Sequence, residues 1–187
     1  ARPTMRYVNV KSAEKQASSM AFKVRDLLVR QRTQTINALR GHLMEYGLIV
    51  PQGIKHIPLL REQITTQPDL PEVARVLCDG LLDQVVFLSG QIAVLEKELR
   101  TRARQDEVAS RLMTIPGVGA ICATAIEALA PSAETFSKGR DFAAWIGLTP
   151  KQNSSGGKDR LGKVSKMGQR DLRRLLVLGA TAVVRWA

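Results

Sequence analysis

Aromatic, histidine and cysteine residues are scarce in this sequence, and their scarcity excludes several kinds of site. Aromatic residues make up 4% of the 187 residues, too few for the base-stacking platforms of single-strand-binding proteins. The two histidines, His42 and His56, and the two cysteines, Cys78 and Cys122, form no Cys-x-x-Cys or Cys/His cluster. We therefore expect no zinc site, and the cysteines, which lie in apolar helical patterns, are predicted to be small buried residues.

Long apolar runs, clustered carboxylates and nucleotide-binding loops are also missing. No run of 18 apolar residues occurs and no signal peptide opens the chain, so we expect a cytoplasmic protein without a membrane partner. The C-terminal carboxylates Asp141, Asp159 and Asp171 are scattered among cations. Because Mg²⁺ needs converging oxygen ligands, no metal site is predicted within this chain. The Gly-Gly-Lys sequence at 156–158 lacks the upstream glycine of a P-loop.

Positive charge is abundant and unevenly distributed. The formal net charge is +11, with +6 in residues 1–50, −3 in residues 51–137 and +8 in residues 138–187. Two basic ends around a mildly acidic middle indicate a polyanionic partner, for which nucleic acid is the first candidate. A solvated cationic surface without a partner is the alternative.

Apolar residues recur with helical periodicity along most of the chain, which predicts an all-α fold. We expect a long-helix and coiled-coil linker over residues 1–106 and a compact helical domain over residues 107–187, with a basic Ser/Gly loop at 149–168. Within that loop, a short β-hairpin at 151–165 is an open alternative. Helices are predicted at 12–46, 59–64, 72–104, up to 115, from 120, at 136–147 and from 169 onward.

The second long helix carries two interleaved seven-residue repeats. Leucine at one repeat position and β-branched residues at the other favour two-stranded pairing. We therefore expect residues 74–99 to join chains into a homo-oligomer, a dimer or a tetramer. The alternative is an intramolecular antiparallel hairpin with the first helix, which would use the same stripe. The repeats are Ala74, Leu81, Leu88 and Leu95, and Cys78, Val85, Ile92 and Leu99.

A glycine-rich turn, Ile-Pro-Gly-Val-Gly at residues 115–119, lies between two apolar helical segments. This pattern is similar to the helix-hairpin-helix motif. Gly117 and Gly119 would let backbone N–H groups at a helix N-terminus face a phosphate, which would bind DNA without sequence preference. A plain helical hairpin with a glycine turn is the alternative.

The stretch from Thr149 to Arg174 places Ser154, Ser155 and two glycines among many cations. Small residues allow close approach, and the cations would stabilise the extra charge of a five-coordinate phosphorus. A serine is a weak nucleophile until a base takes its proton, and the sequence identifies no such base. A nucleophilic serine, a phosphate-binding loop and a plain surface loop all stay open. The basic residues expected to bind nucleic acid here and on the first helix are Lys151, Lys158, Arg160, Lys163, Lys166, Arg173, Arg174, Arg25, Arg32 and Arg40.

Several segments together resemble the transposases of the insertion-sequence 110/1111 family and the related Piv-type DNA invertases. The most specific are IPGVG at 115–119, FAAWIGLTP at 142–150, SSGGK at 154–158 and GKVSKMGQRDLRRLLV at 162–177. The opening RPTMRYVNVKS and the segment RDLLVRQRTQTINALRGHL at 25–43 are similar to the region that follows the first domain of those proteins.

The resemblance implies a two-part recombinase. Its N-terminal RuvC-like domain would hold Mg²⁺ through a DEDD carboxylate set, and its helical C-terminal domain would carry a serine that attacks DNA. That serine directly precedes the glycine of the turn, which makes Ser155 the expected nucleophile and Ser154 the alternative. Several family members also use a structured guide RNA. The resemblance further implies a bacterial protein associated with the nucleoid.

The RuvC-like domain and its carboxylates have no counterpart in this sequence. Since the chain starts at Ala1 without methionine and stops within an apolar helical pattern, we expect a fragment of a longer protein that is inactive in recombination by itself. The rival interpretation is a non-catalytic helix-hairpin-helix module for DNA binding and oligomerisation. Such a module would bind DNA in a salt-sensitive way without a covalent product.

Overall fold

The computed structural model describes residues 10–186, with side chains to residue 185. Helices dominate these residues, and a small two-stranded antiparallel sheet accompanies them. The predicted all-α fold is confirmed. Residues 2–9, which carry part of the family resemblance, lie outside the described residues. So does the final residue, at which the sequence stops within an apolar helical pattern. The helices are α1 (Ala13–Met44), α2 (Ile57–Thr66), α3 (Glu72–Gln105), α4 (Glu107–Leu112), α5 (Ala120–Leu129), α6 (Gly139–Trp145) and α7 (Arg170–Trp186), and the strands are β1 (Pro150–Gln152) and β2 (Leu161–Val164).

The ends of α1 follow from capping residues that the sequence identifies. The Lys15 backbone N–H donates to Ser12 Oγ at 3.2 Å, which satisfies one of the unpaired donors at the helix start. At the other end Gly47 adopts a positive φ of 74°, and the Leu48 N–H donates to the Leu43 carbonyl. Capping preferences predict Ser12 as the N-cap and Gly47 as the C-cap of this helix, and the structure confirms both.

The described chain divides into two compact units. One unit consists of the residues up to Met20 together with those from Glu98 onward, and the other consists of Ala21–Lys97. The predicted domain boundary between residues 106 and 107 stays a prediction. The core of the Ala21–Lys97 unit combines α1, the connector, α2 and α3, through Leu39, Leu43, Val50, Leu60, Ile64, Leu70, Cys78 and Leu82.

The N-terminal half of α1 buries a different face from the predicted one. Apolar periodicity predicts that Met20, Val24 and Leu27 face inward. These residues are exposed, whereas Phe22 and Asp26 are buried. Asp26 forms an ion pair with Arg30 one turn later. A face that includes a paired carboxylate is invisible to a search for apolar periodicity, because that search counts every charged position as solvent-facing.

The repeat of α3 is buried within the single chain. Cys78, Val85, Ile92 and Leu99 are buried, whereas Leu81 and Leu95 of the other repeat are only half-buried. The buried face of α3 also includes Leu82 and Ala103, which belong to neither repeat and are fully buried. In the Ala21–Lys97 unit it packs against α1 and α2, as the alternative of an intramolecular hairpin requires. Burial of these residues therefore does not depend on a second chain.

Helix α3 is long and apolar enough, by length and composition, to cross a membrane. Its best 18-residue window has a mean hydropathy of 1.3. This is weak evidence, since core helices of soluble proteins pass the same test. The predicted absence of a membrane partner stays a prediction.

Small residues bring helices close together in the unit that includes the residues from Glu98 onward. Ala103, Ala109 and Ala123 are fully buried and form a cluster at the packing of α4 against α5. Helix α7 packs on α5, and Leu172 is buried. Apolar periodicity predicts that Val183 of α7 faces inward, but this residue is 36% exposed.

Candidate nucleic-acid interface

The Ser/Gly loop is a tight β-hairpin. Strands β1 and β2 pair antiparallel, and beyond them Ser155 and Lys158 form a bridge with both backbone hydrogen bonds, at 3.1 and 3.3 Å. The two residues at the tip, Gly156 and Gly157, have φ values of 56° and 77°. Two successive positive φ angles are what a type I′ hairpin turn requires, and glycine adopts them without a steric penalty. The hairpin alternative for 151–165 is therefore the observed structure.

The two serines of the loop have different environments. Ser154 is half-buried, and its Oγ accepts hydrogen bonds from the Arg160 backbone N–H at 2.9 Å and from Gln152 Nε2 at 2.8 Å. Ser155 is exposed at the turn. Within the part of the chain that the structure describes, its hydroxyl has no hydrogen-bond partner. Ser154 therefore holds the hairpin together, whereas Ser155 is free to meet a ligand.

The register of the hairpin sorts its side chains onto two faces. Ser155 pairs with Lys158, and the Asn153 N–H donates to the Arg160 carbonyl at 2.8 Å. Residues opposite each other in an antiparallel pair share a face, and alternate residues along a strand do too. One face therefore carries Ser155 together with the cations of Lys158 and Arg160, while the carboxylate of Asp159 belongs to the other face.

The base of the hairpin is fixed by close backbone packing. Gly147 (φ 77°) and Gly168 (φ 89°) lie where an added Cβ would come within 1.8 Å of the Met167 carbonyl oxygen and 2.0 Å of the Trp145 carbonyl oxygen, respectively. Arg173 Nη1 donates to the Ile146 carbonyl at 2.7 Å and also reaches that of Met167. This arrangement ties the end of α6 to the start of α7. The Arg173 guanidinium, predicted to bind nucleic acid, thus has internal partners.

The glycine turn between α4 and α5 has one covered and one exposed glycine. Gly117 has a φ of 83°, and a Cβ there would lie 2.7 Å from the Gly179 carbonyl oxygen of α7. Gly119 is exposed and is the N-cap of α5, with no side-chain cap. The free N–H groups at this end of α5 are a feature that helix-hairpin-helix motifs use, whereas Gly117 serves helix packing.

The basic residues predicted on α1 have internal partners. Arg25 pairs with Glu96 at 2.5 Å and its side chain is only 16% exposed. Arg32 Nη1 lies 3.4 Å from Ser89 Oγ. Arg40 donates to the Pro51 carbonyl at 2.7 Å and to the Val50 carbonyl. Arg32 and Arg40 share the lining of one cleft of about 450 Å³. These arginines stabilise the Ala21–Lys97 unit.

The remaining predicted cations surround the hairpin. All of them are exposed: Lys151, Lys158, Arg160, Lys163, Lys166 and Arg174. Lys166 has a positive φ of 54°, unusual for a residue with a side chain. The sequence reasoning missed Gln152, whose amide holds Ser154. Gln152 and Ser154 lie two residues apart on the same arm of the hairpin, and the alternation of side chains along a strand is the signal that places them on one face.

Within residues 10–186, no group of three or more His, Cys, Asp or Glu side chains lies close enough together to hold a metal ion. The family resemblance implies that Mg²⁺ would be held by carboxylates of another domain. The chemistry that the hairpin itself offers is a free hydroxyl, several cations and exposed backbone. These groups suit a phosphodiester.

The exposed Ser155 and the exposed cations of the hairpin are of the kind that suits a polyanionic partner such as nucleic acid. Residues 109–187 match the model of the Transposase IS116/IS110/IS902 family. This match confirms, over these residues, the resemblance seen in the sequence.

Several named proteins align with nearly the whole chain. A Sinorhizobium fredii protein named as transposase y4pF/y4sB is 44% identical over 98% of this chain and 48% of its own length. The transposase for insertion sequence element IS1328 of Yersinia enterocolitica is 38% identical over 94% of this chain and 52% of its own. The transposase for insertion sequence element IS1111A of Coxiella burnetii is 37% identical over 98% and 51%. The chain spans about half the length of these relatives.

Proposed function

We propose that this chain is the part of a DNA transposase that binds DNA and supplies a serine nucleophile, Ser155, to a composite active site. The observation that carries the proposal is the contrast between the two serines. Ser154 Oγ accepts two hydrogen bonds, whereas Ser155 is exposed beside Lys158 at the tip of the hairpin. The match to a transposase family supports DNA as the substrate.

In the proposed reaction the Ser155 hydroxyl oxygen bonds to phosphorus of the scissile phosphodiester. One deoxyribose oxygen leaves with its electron pair, and the serine proton passes to a base. The exposed cations Lys158 and Arg160, on the same face of the hairpin, offset the negative charge that builds up on the phosphoryl oxygens. Such stabilisation of a developing charge is typically the largest single catalytic effect.

The proton acceptor belongs to the other half of the composite site. The carboxylate nearest in sequence, Asp159, is on the opposite face of the hairpin by register. The family resemblance implies a RuvC-like domain whose carboxylates would hold Mg²⁺, and that domain would provide the base. On this proposal the chain by itself is inactive in strand exchange and still binds DNA.

The test of the nucleophile compares Ser155→Ala with Ser154→Ala in the intact transposase, on a plasmid that carries the ends of its own insertion element. The readouts are recombination and the protein–DNA adduct trapped by denaturant. We expect Ser155→Ala to abolish both while DNA binding is kept, and Ser154→Ala to reduce both and keep a detectable adduct. Full recombination by Ser155→Ala would overturn the proposal.

A second candidate function is a non-catalytic DNA-binding module built on the turn between α4 and α5. The exposed Gly119, which caps α5 without a side chain, favours a phosphate contact there. DNA binding that depends on this turn, with no adduct at any serine, would support the module over the enzyme. Loss of binding with added salt would not separate the two, because both bind through phosphates.

Three further features are part of the proposal, of which the first comes from the resemblance. They are a structured guide RNA, assembly into a homo-oligomer, and a cytoplasmic location at the nucleoid. RNA that copurifies with the intact protein, and whose removal stops recombination, would support the first. Sedimentation tests the second, which is expected to form through residues 74–99 of α3.

A further inference from the structure

The hairpin face that carries Ser155 also carries an amide side chain, that of Asn153. Alternate residues of a strand share a face, and Asn153 is two residues before Ser155. Its partner across the hairpin is Arg160, whose carbonyl accepts the Asn153 N–H at 2.8 Å. The Asn153 amide thus stands on the same side as the serine hydroxyl and two cations.

A glycine opposite makes room for this amide. An added Cβ on Gly162 would lie 2.7 Å from Asn153 Nδ2, and 3.3 Å from the Lys151 carbonyl oxygen. Gly162 has an ordinary φ, so no backbone strain calls for glycine there. The space above Gly162 is what the Asn153 carboxamide occupies.

The Asn153 carboxamide takes no part in the hydrogen bonds that hold the hairpin. Within the described residues its side chain has no hydrogen-bond partner, in contrast to the neighbouring Gln152, which donates to Ser154 Oγ at 2.8 Å. A carboxamide carries two N–H donors and no charge. On the exposed face that the register assigns to both Asn153 and Ser155, those donors are available to an anion.

We propose that Asn153 is a phosphate-binding residue of the Ser155 site, donating an N–H to a non-bridging oxygen of the phosphodiester that Ser155 attacks. This inference rests on the proposed function. Residues two apart on a strand are separated by roughly 7 Å. One phosphate spans that gap when its phosphorus is about 3 Å from the serine oxygen and its oxygen about 2.9 Å from the amide nitrogen.

Gly162 would leave room for the Asn153 carboxamide in this site. Lacking a Cβ, it lets the carboxamide lie against the returning strand, on the face that also carries the Ser155 hydroxyl. A methyl group at 162 would displace the amide by its contact with Nδ2. The effect of Gly162→Ala should therefore act through Asn153 and vanish when Asn153 is removed.

The experiment measures the rate of adduct formation by the intact transposase on a plasmid with the ends of its element, for Asn153→Ala, Asn153→Asp and Ser155→Ala. We expect Asn153→Ala to slow the adduct roughly ten- to hundredfold, with DNA affinity changed less than about threefold, since one transition-state donor is lost. Asn153→Asp keeps the shape and replaces the donors by a negative charge. It should be slower still, whereas a purely space-filling role would tolerate it.

A double-mutant cycle provides the second readout. Gly162→Ala should slow the adduct in the parent protein and add nothing to Asn153→Ala, which measures their coupling directly. A rate within twofold of the parent for both Asn153 variants, while Ser155→Ala forms no adduct, would overturn the role of Asn153 and leave the nucleophile intact. An adduct formed normally by Ser155→Ala would overturn the proposed function, and the role of Asn153 with it.

Discussion

Gly117 and Gly179 meet backbone to backbone. A Cβ added to Gly179 would lie 2.1 Å from the Gly117 carbonyl oxygen, and one added to Gly117 would lie 2.7 Å from the Gly179 carbonyl oxygen. The contact seats α7 on the turn between α4 and α5. The two glycines are 62 positions apart in the sequence. Only the folded structure shows that a side chain at either position would clash with the backbone of the other.

Gly179→Ala should therefore destabilise the protein, because backbone atoms would have to move apart. Overpacking of this kind costs typically about 1–3 kcal/mol. The control is Gly90→Ala in the middle of α3, where nothing lies within 4 Å of the added methyl group. That change should stabilise by about 0.5–1 kcal/mol, since alanine favours helix more than glycine does. Chemical denaturation followed by circular dichroism measures both, and equal effects would contradict the packing.

Ser154→Ala should loosen the hairpin at one defined amide. The Arg160 N–H, which donates to Ser154 Oγ at 2.9 Å, would lose its partner. A hydrogen bond of this kind contributes about 0.5–1.5 kcal/mol, so hydrogen exchange at the Arg160 amide should speed up accordingly. Ser155→Ala is the matched control and should leave that exchange unchanged. An unaltered Arg160 amide in Ser154→Ala would contradict the structural role of this serine.

The basic residues should separate into two groups when they are replaced. Arg40→Ala removes donors to the Val50 and Pro51 carbonyls and should lower the free energy of unfolding by about 1–3 kcal/mol. Lys158→Ala, at the exposed hairpin tip, should leave stability unchanged. It should weaken DNA binding and reduce the slope of log affinity against log salt by about one. A stability loss in Lys158→Ala, or none in Arg40→Ala, would contradict this division.

Both cysteines should react slowly in the folded protein. Burial raises the pKa of the Cys122 thiol, and burial followed by the charge of Asp79 raises the pKa of the Cys78 thiol, above the ordinary value of 9.0. Since the thiolate is the reactive form, alkylation by iodoacetamide at neutral pH should be slow until denaturant is added. Rapid labelling of either cysteine without denaturant would contradict the burial.

The same shifts give a pH dependence of stability. Above pH 9 the unfolded thiols lose their protons while the folded thiols keep theirs, so the unfolded state is favoured as pH rises. The stability contribution of the protonated thiols is therefore present below pH 9 and declines above it. Replacing both cysteines by alanine should flatten this part of the curve, which thermal melts between pH 7 and pH 10 would measure.

Much of the secondary structure could be read from the sequence. Ser12 and Gly47 fixed the ends of α1 through local chemistry, and α3 was found within a residue of its observed end. The inward face of α1 could not be read, since Asp26 and Arg25 are accommodated there by ion pairs. The partner of Arg25 is Glu96 of α3, and an ion pair across 71 positions leaves no local pattern.

For the candidate site, the sequence by itself determined the all-α class, the resemblance to a transposase family and the glycine turn beside two serines. These depend on local conformational preference and on residue order, which the chain carries without its fold. Only the tertiary structure decided which serine is held and which is free, which cations face the serine, and which arginines have internal partners. Those properties depend on the pairing register and on contacts between distant residues, where one shifted position moves a side chain to the opposite face.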